Sequence, residues 1–187
     1  KKYFINKPYF LYVGNAYPHK NLTKLLTAFK LFSQRQKYQL VLVGKNDFFY
    51  QRLKTLAKQR NLLSQRSIIF TGFVPDDELA ILYQQCQAYI FPSLYEGFGL
   101  PPLEAMAQQA PVIAARAGSL PEILGPAALY FDPQQESNIV QVMEQLVDDD
   151  SLKQQLIING NQQIKKYSWT CCAQQTLSIY QQTIKNK

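Results

Sequence analysis

Two glutamates, Glu96 and Glu104, stand eight positions apart in "PSLYEGFGLPPLEAMA" (residues 92–107), in a chain of which 18% of the residues are charged. Such a pair can work as general acid and base, or it can fork hydrogen bonds to the diols of a sugar. The residues between them favour holding. Pro101 and Pro102 suit the first turn of a helix, where N–H groups have no intrahelical partner. "LPPLEAMAQQ" therefore reads as a helix with Glu104 in its first turn and Glu96 in the loop just above. Gly97 and Gly99 leave backbone N–H groups open to a ligand, and a helix N-terminus suits phosphate. Both carboxylates would then face one crevice able to take both halves of a nucleotide sugar. A plainer reading stays open beside it: Glu104 complements a helix dipole, and Glu96 is a solvated loop acid.

The elements that must position these residues alternate. Short apolar runs, each closed by Gly, Ser, Arg or Pro, occur at "YFLYVG" (9–14), "QLVLVG" (39–44), "SIIFTG" (67–72), "AYIFPS" (88–93), "PVIAAR" (111–116) and "AALYFDP" (127–133). Continuous apolarity of this length is the mark of strands buried on both faces. Between them lie helical patterns over residues 21–35, 49–62 and 75–86, the last opening on acids as a helix dipole favours. Strand alternating with helix predicts an α/β fold, a Rossmann-like doubly wound parallel sheet of about six strands with helices on both faces. Residues beyond Pro133 read as helices only, and Ser168 is the N-cap expected for the last. Ligands of such sheets bind outside the carboxyl ends of the strands, so the candidate loops are 14–21, 44–48, 72–77, 93–101 and 116–121.

The 187 residues, 47% apolar, suffice for one domain with a substantial core. A net charge of +7 points to anionic partners: nucleic acid, a phospholipid surface or a phosphorylated small molecule. No dense Lys/Arg run supports nucleic acid. No apolar window spans a membrane, and the N-terminus lacks the pattern of a signal peptide, so a soluble domain is expected. Cys86, Cys171 and Cys172 form no metal-ligand spacing or disulfide framework, which fits a reducing compartment. With His19 as the only histidine, most histidine-based metal sites and any Ser-His-Asp triad within the chain are excluded.

The segment "FPSLYEGFGLPPLEAMAQQAPVIAARAGSLPEILGPAALYFDP" resembles the nucleotide-sugar-binding half of the family 4 retaining glycosyltransferases, which have the two-domain GT-B fold. The likeness extends to "YVGNAYPHKNL" (12–22), "LVLVGK" (40–45), "IIFTGFVPDDEL" (68–79) and "YSWTCCAQQTLSIY" (167–180), and so covers nearly the whole chain in order.

The resemblance implies transfer of a hexose from a nucleoside diphosphate sugar to an acceptor hydroxyl, with retention at the anomeric carbon. It implies that Glu96 bonds the donor sugar and Glu104 the ribose, and that the backbone of Gly97, Phe98 and Gly99, with the helix beginning near Leu100, lies along the hexose and phosphates. Lys20 matches a lysine that neutralises the pyrophosphate, and the family usually offers an arginine beside it, directly after the first-strand glycine, Gly14. Asn15 stands at that position, and Lys45 or His19 is a candidate for the missing charge; each also reads as an ordinary surface residue. Phe73, Val74 and Asp76 are expected at the base, Asp76 and Asp77 reading equally well as helix-start residues. Gln109 replaces a glycine common at a helix C-cap, at a steric cost. Ser119 and Glu122 fall in a loop that resembles a family loop but reads more simply as a short helix start.

No metal or other cofactor is expected. The chain reads as a C-terminal domain over residues 1–187, with the acceptor-binding N-terminal domain absent, so that alone it would bind donor weakly and catalyse little. The last helix, with Tyr180 among its aromatics, would pack toward that missing domain. "YVGNAYPHKNL" has the character of mannosyltransferases that use GDP-mannose. Implied partners of the full-length enzyme are the donor, an acceptor glycan or glycolipid and a peripheral membrane contact, with a cytoplasmic location extending to the inner membrane face. Two other functions stay open: a non-catalytic nucleotide-sugar binding module, and a phosphorylase or epimerase of related architecture.

Overall fold

The computed structural model describes residues 2–185 apart from 33, 35 and 64–66, and the side chains of all these but residue 185. In chain order the elements are β1 (Tyr9–Val13), a 3-10 turn (Pro18–Lys20), α1 (Leu22–Leu31), β2 (Gln39–Val43), α2 (Phe48–Gln59), β3 (Ile68–Gly72), α3 (Asp76–Gln85), β4 (Ala88–Phe91), α4 (Leu100–Ala107), β5 (Val112–Ala115), α5 (Leu120–Leu124), β6 (Ala128–Phe131), α6 (Glu136–Asp148), α7 (Asp150–Gln163) and α8 (Trp169–Lys185). The strand and helix alternation expected from the sequence is present. α1 ends at Leu31, and the further extent expected for it falls partly on residues 33 and 35, outside the described residues.

All six strands are parallel, in the order β3-β2-β1-β4-β5-β6. A helix between successive strands carries the chain back to the same end of the sheet, which makes parallel pairing the only short route. Every residue of β2, β4 and β5 is buried, so both sheet faces are covered. The order reverses between β1 and β4, which pair through Phe10 with Ala88 and Leu11 with Tyr89. At that reversal the loops leaving β1 and β4 diverge to opposite sides and open a crevice.

Local chemistry sets the ends of the elements. Asp47 caps α2, its carboxylate accepting from the Tyr50 amide at 3.0 Å, and Ser168 caps α8 by accepting from the Cys171 amide at 3.0 Å. Beyond the α4 C-cap the chain turns through Gln109 at φ 60°, and the Ala110 amide returns to the Ala105 carbonyl at 3.0 Å. The steric cost expected of a glutamine there is thus actually met. The loops after β1 and β2 touch so closely at Gly44 that an added Cβ would stand 2.1 Å from the Gly14 carbonyl oxygen. α8 contributes nothing to the core: its described side chains, Trp169 and Tyr180 among them, are all exposed.

Candidate functional site

The site begins at the end of β1. Tyr50 donates from its hydroxyl to the carbonyls of Gly14 (3.0 Å) and Val43 (2.9 Å), and Tyr12 donates to the carbonyl of Asn15 at 2.6 Å. These bonds secure the backbone that leaves the strand. The chain then makes the 3-10 turn Pro18–Lys20, with proline supplying the fixed φ of its start. Asn21 follows in the left-handed region at φ 58°, buried, its amide donating to the Pro133 carbonyl at 2.9 Å. That anchored asparagine sets the direction in which Lys20 leaves the turn.

The opposing loop leaves β4. The Leu94 amide donates to the His19 carbonyl at 2.8 Å, so the loops of β1 and β4 are joined by a backbone bond. Lys20 and Glu96 meet directly above it, Nζ to Oε1 at 2.5 Å, each side chain about one-seventh exposed (13% and 14%). The Lys20 ammonium also stands 5.3 Å from the centroid of the Phe91 ring, a cation–π contact at the end of β4. From the other side the Ser119 hydroxyl donates to the Glu96 carbonyl at 3.0 Å.

Gly99 stands before α4 at φ 93°, a conformation glycine adopts without strain. No side chain caps the helix, and Pro101 and Pro102 lie in its first turn as expected. Glu104 differs from the expectation. The helix starts at Leu100, because the left-handed Gly99 completes the entry turn by itself, so Glu104 is its fifth residue and lies in the second turn. The side chain is exposed. Glu104 and Glu96 nevertheless act on one point: burial, then Tyr83 and Tyr12, then the charges of Glu104 and Glu96 push the Tyr89 hydroxyl well above the ordinary phenol range.

The remaining candidates separate. Gly97 is exposed, with open space where a Cβ would stand. Phe98 sets its ring edge to face with Tyr167, centroids 5.4 Å apart. Gly14, Asn15 and Lys45 lie on the loops of β1 and β2; Lys45 is exposed and makes no side-chain hydrogen bond or ion pair among the described residues. The His19 ring is exposed and leans on Tyr17. Phe73 stands out at 77% exposure, but Val74 is packed in the core at 3%, so its side chain offers no surface to a base. Asp76 and Asp77 occupy the first turn of α3, where they complement its dipole.

Two residues of this constellation escaped the sequence reading. Ser119 was expected to open a helix; α5 does start after it with Pro121 in the first turn, but the hydroxyl makes no cap and braces Glu96 instead. Phe91 belongs to the apolar run 88–93, whose pattern indicates a strand and nothing more. Neither carries a local signal, since both roles depend on which loop comes to lie opposite. Among the described residues no group of three or more His, Cys, Asp or Glu is gathered to hold a metal ion, and no helix is long and apolar enough to cross a membrane.

Comparison with known proteins gives this geometry its context. The chain is 36% identical over 178 residues to the O-antigen chain mannosyltransferase B of Escherichia coli, covering 92% of this chain and 45% of that protein. It is 37% identical to a serotype-specific mannosyltransferase WbdA of Escherichia coli, over 90% of this chain and 21% of that one. It is 33% identical to the MMP alpha-(1->4)-mannosyltransferase of Mycolicibacterium hassiacum, over 89% and 41%. The chain therefore spans less than half the length of these relatives. Among solved structures, a sucrose-phosphate synthase of Thermosynechococcus elongatus superposes with a TM-score of 0.84 at 28% identity, covering 97% of this chain and 47% of that one. The Anabaena protein Alr3699/HepE, solved with UDP and glucose, superposes with a TM-score of 0.81 at 21% identity over 94% and 48%, a likeness of fold. Residues 1–163 match the family described as glycosyl transferases group 1, and with the GT-B type of sheet already in place the chain belongs to that family.

Proposed function

We propose that this chain is the donor-binding half of a retaining hexosyltransferase, which moves mannose from GDP-mannose to the hydroxyl of an acceptor glycan or glycolipid. The observation that carries the reading is the Lys20–Glu96 pair, held across the β1–β4 reversal beside the uncapped start of α4. A donor diphosphate entering there meets a lysine whose present partner is a single carboxylate. Lys20 turns to the phosphates, which also face the backbone of Gly97, Phe98, Gly99 and Leu100. Glu96, released from the lysine, accepts from the hydroxyls of the hexose, while Glu104 reaches the ribose. As the glycosidic bond breaks, negative charge accumulates on the departing diphosphate, and Lys20 and the helix N-terminus stabilise it. Asn15 adds no charge to this cradle; Lys45 and His19 lie on neighbouring loops.

Mannose is favoured by the mannosyltransferase names of relatives at 33–37% identity. Acceptor binding falls to the half of the protein outside this chain, and in that protein the exposed apolar side chains of α8, Trp169 and Tyr180 among them, pack on the other half. The reaction takes place in the cytoplasm, at the inner membrane face. The deciding experiment incubates the full-length protein with labelled GDP-mannose or UDP-glucose and a glycolipid extract of its host. Mannose appearing in the lipid fraction supports the reading. Equal transfer of glucose would overturn the donor assignment, and donor binding without transfer to any acceptor would leave a binding module.

A further inference from the structure

Residues 1–75 contain 14 of the 20 lysines and arginines but a single acid of the 13, Asp47. Strand order turns this bias of sequence into a bias of surface. β3, β2 and β1 are consecutive in the sheet, so the described residues of this segment form one flank, and the other twelve acids lie later in the chain. α1 and α2, the helices of the basic flank, contain no Asp or Glu. Of the bases on these two helices, only Lys24 is paired with a carboxylate, Glu136 at 3.1 Å, among the described residues.

An open groove of about 670 Å³ runs between the two helices. Leu22, Leu53 and Leu56 line it, with Arg52 and Arg60 beside them. Arg60 is tied to Thr27 of α1 at 2.6 Å, which holds the groove at that end. At the other end Phe48 is 69% exposed at the start of α2, and by helical spacing it shares an outward face with Arg52, with exposed Lys58 alongside.

We propose that this flank docks on a bilayer surface containing anionic phospholipids, Arg52, Lys58 and Arg60 meeting lipid phosphates and Phe48 entering the interfacial layer. The charges are spread along two helices instead of converging on one point, which matches a planar anionic surface better than a single small anion. Exposed aromatic surface beside the bases adds the apolar half of such a contact. Nucleic acid fits less well, because Phe48 and Tyr17 each pack edge to face against Phe49, at 5.4 and 5.0 Å, and do not stand as separate stacking platforms. The docking rests on the inner-membrane location in the proposed function, but none of its three bases is Lys20 or another donor-holding side chain, so vesicle binding and sugar transfer test the two readings separately.

The test is co-sedimentation of this chain with vesicles of phosphatidylcholine, with and without phosphatidylglycerol, at low and high salt. Binding is expected only with phosphatidylglycerol, and is expected to weaken as salt rises. The double variant Arg52→Glu with Lys58→Glu is expected to lose about tenfold or more in affinity, while Lys165→Glu with Lys166→Glu, the same charge change outside the flank, changes it little. Circular dichroism confirms that each variant is folded. Equal binding to neutral vesicles would overturn the proposal in favour of the apolar face of α8. Equal losses in the two double variants would reduce the effect to net charge. Tighter binding to single-stranded RNA than to the anionic vesicles would also overturn it.

Discussion

Lys20 and Glu96 are 76 residues apart in the chain and 2.5 Å apart in the fold, at the one place where the order of strands reverses. Because both are largely removed from solvent, each depends on the other until a ligand replaces it. Single alanine variants are expected to be non-additive, with a coupling of about 1 kcal/mol or more in a double-mutant cycle read by chemical denaturation. In the full-length protein, Glu96→Ala is expected to leave nucleoside diphosphate affinity nearly intact and to abolish most transfer. Equal loss of binding and transfer would show that Glu96 does not sit at the sugar.

Glu104 is exposed, and its carboxylate faces the buried Tyr83 hydroxyl, which burial first and then this carboxylate push above the ordinary phenol range. Glu104→Ala removes one contact at an exposed position and should lower the thermal midpoint of the chain only slightly. Calorimetric titration with GDP is expected to show a loss of about 1.5–3 kcal/mol, the worth of hydrogen bonds to a charged group. Unchanged affinity would remove Glu104 from the ribose.

Gln109 holds a left-handed conformation at φ 60° just beyond the end of α4. Glycine enters that region without the clash of a Cβ against the backbone. Gln109→Gly is expected to raise unfolding stability by about 1 kcal/mol, measured by urea denaturation, with no effect on nucleotide affinity.

Four tyrosines on or against the central strands, Tyr9, Tyr12, Tyr50 and Tyr89, have hydroxyls raised above the ordinary value of 10.0, in each case first by burial. Their native state thus keeps protons that the unfolded chain releases above pH 10. The stability from these groups is complete below that pH and falls as pH rises through it. Unfolding followed by tyrosinate absorbance should become cooperative and alkali-driven above pH 10. Gradual, independent titration of all tyrosines in a folded chain would contradict their burial.

Gly44 is held by contact, not by conformation: the Gly14 carbonyl occupies the space a Cβ needs. Gly44→Ala should cost about 3 kcal/mol and weaken donor binding as well, because the displaced strand end carries the loop that leads to Lys20. A stable variant with full GDP affinity would mean that the loop adjusts freely.

The type and order of the elements are legible along the chain, since apolar runs too short for helices alternate with helical periodicity, and this alternation leads to a parallel sheet. So are the two glutamates, the prolines that start α4 and the family pattern around them, because each of these is a local or co-ordered signal. Which loops stand opposite each other is set by the packing of the whole fold. The β1–β4 pairing joins Lys20 to Glu96, brings Ser119 to the Glu96 carbonyl and seats the lysine near Phe91. The second-turn place of Glu104 follows locally from Gly99, whereas the fold also buries Val74 and gathers the described part of the basic first 75 residues onto one flank. These outcomes depend on contacts between residues distant in the chain, and spacing along the chain carries no information about which distant segments pack together.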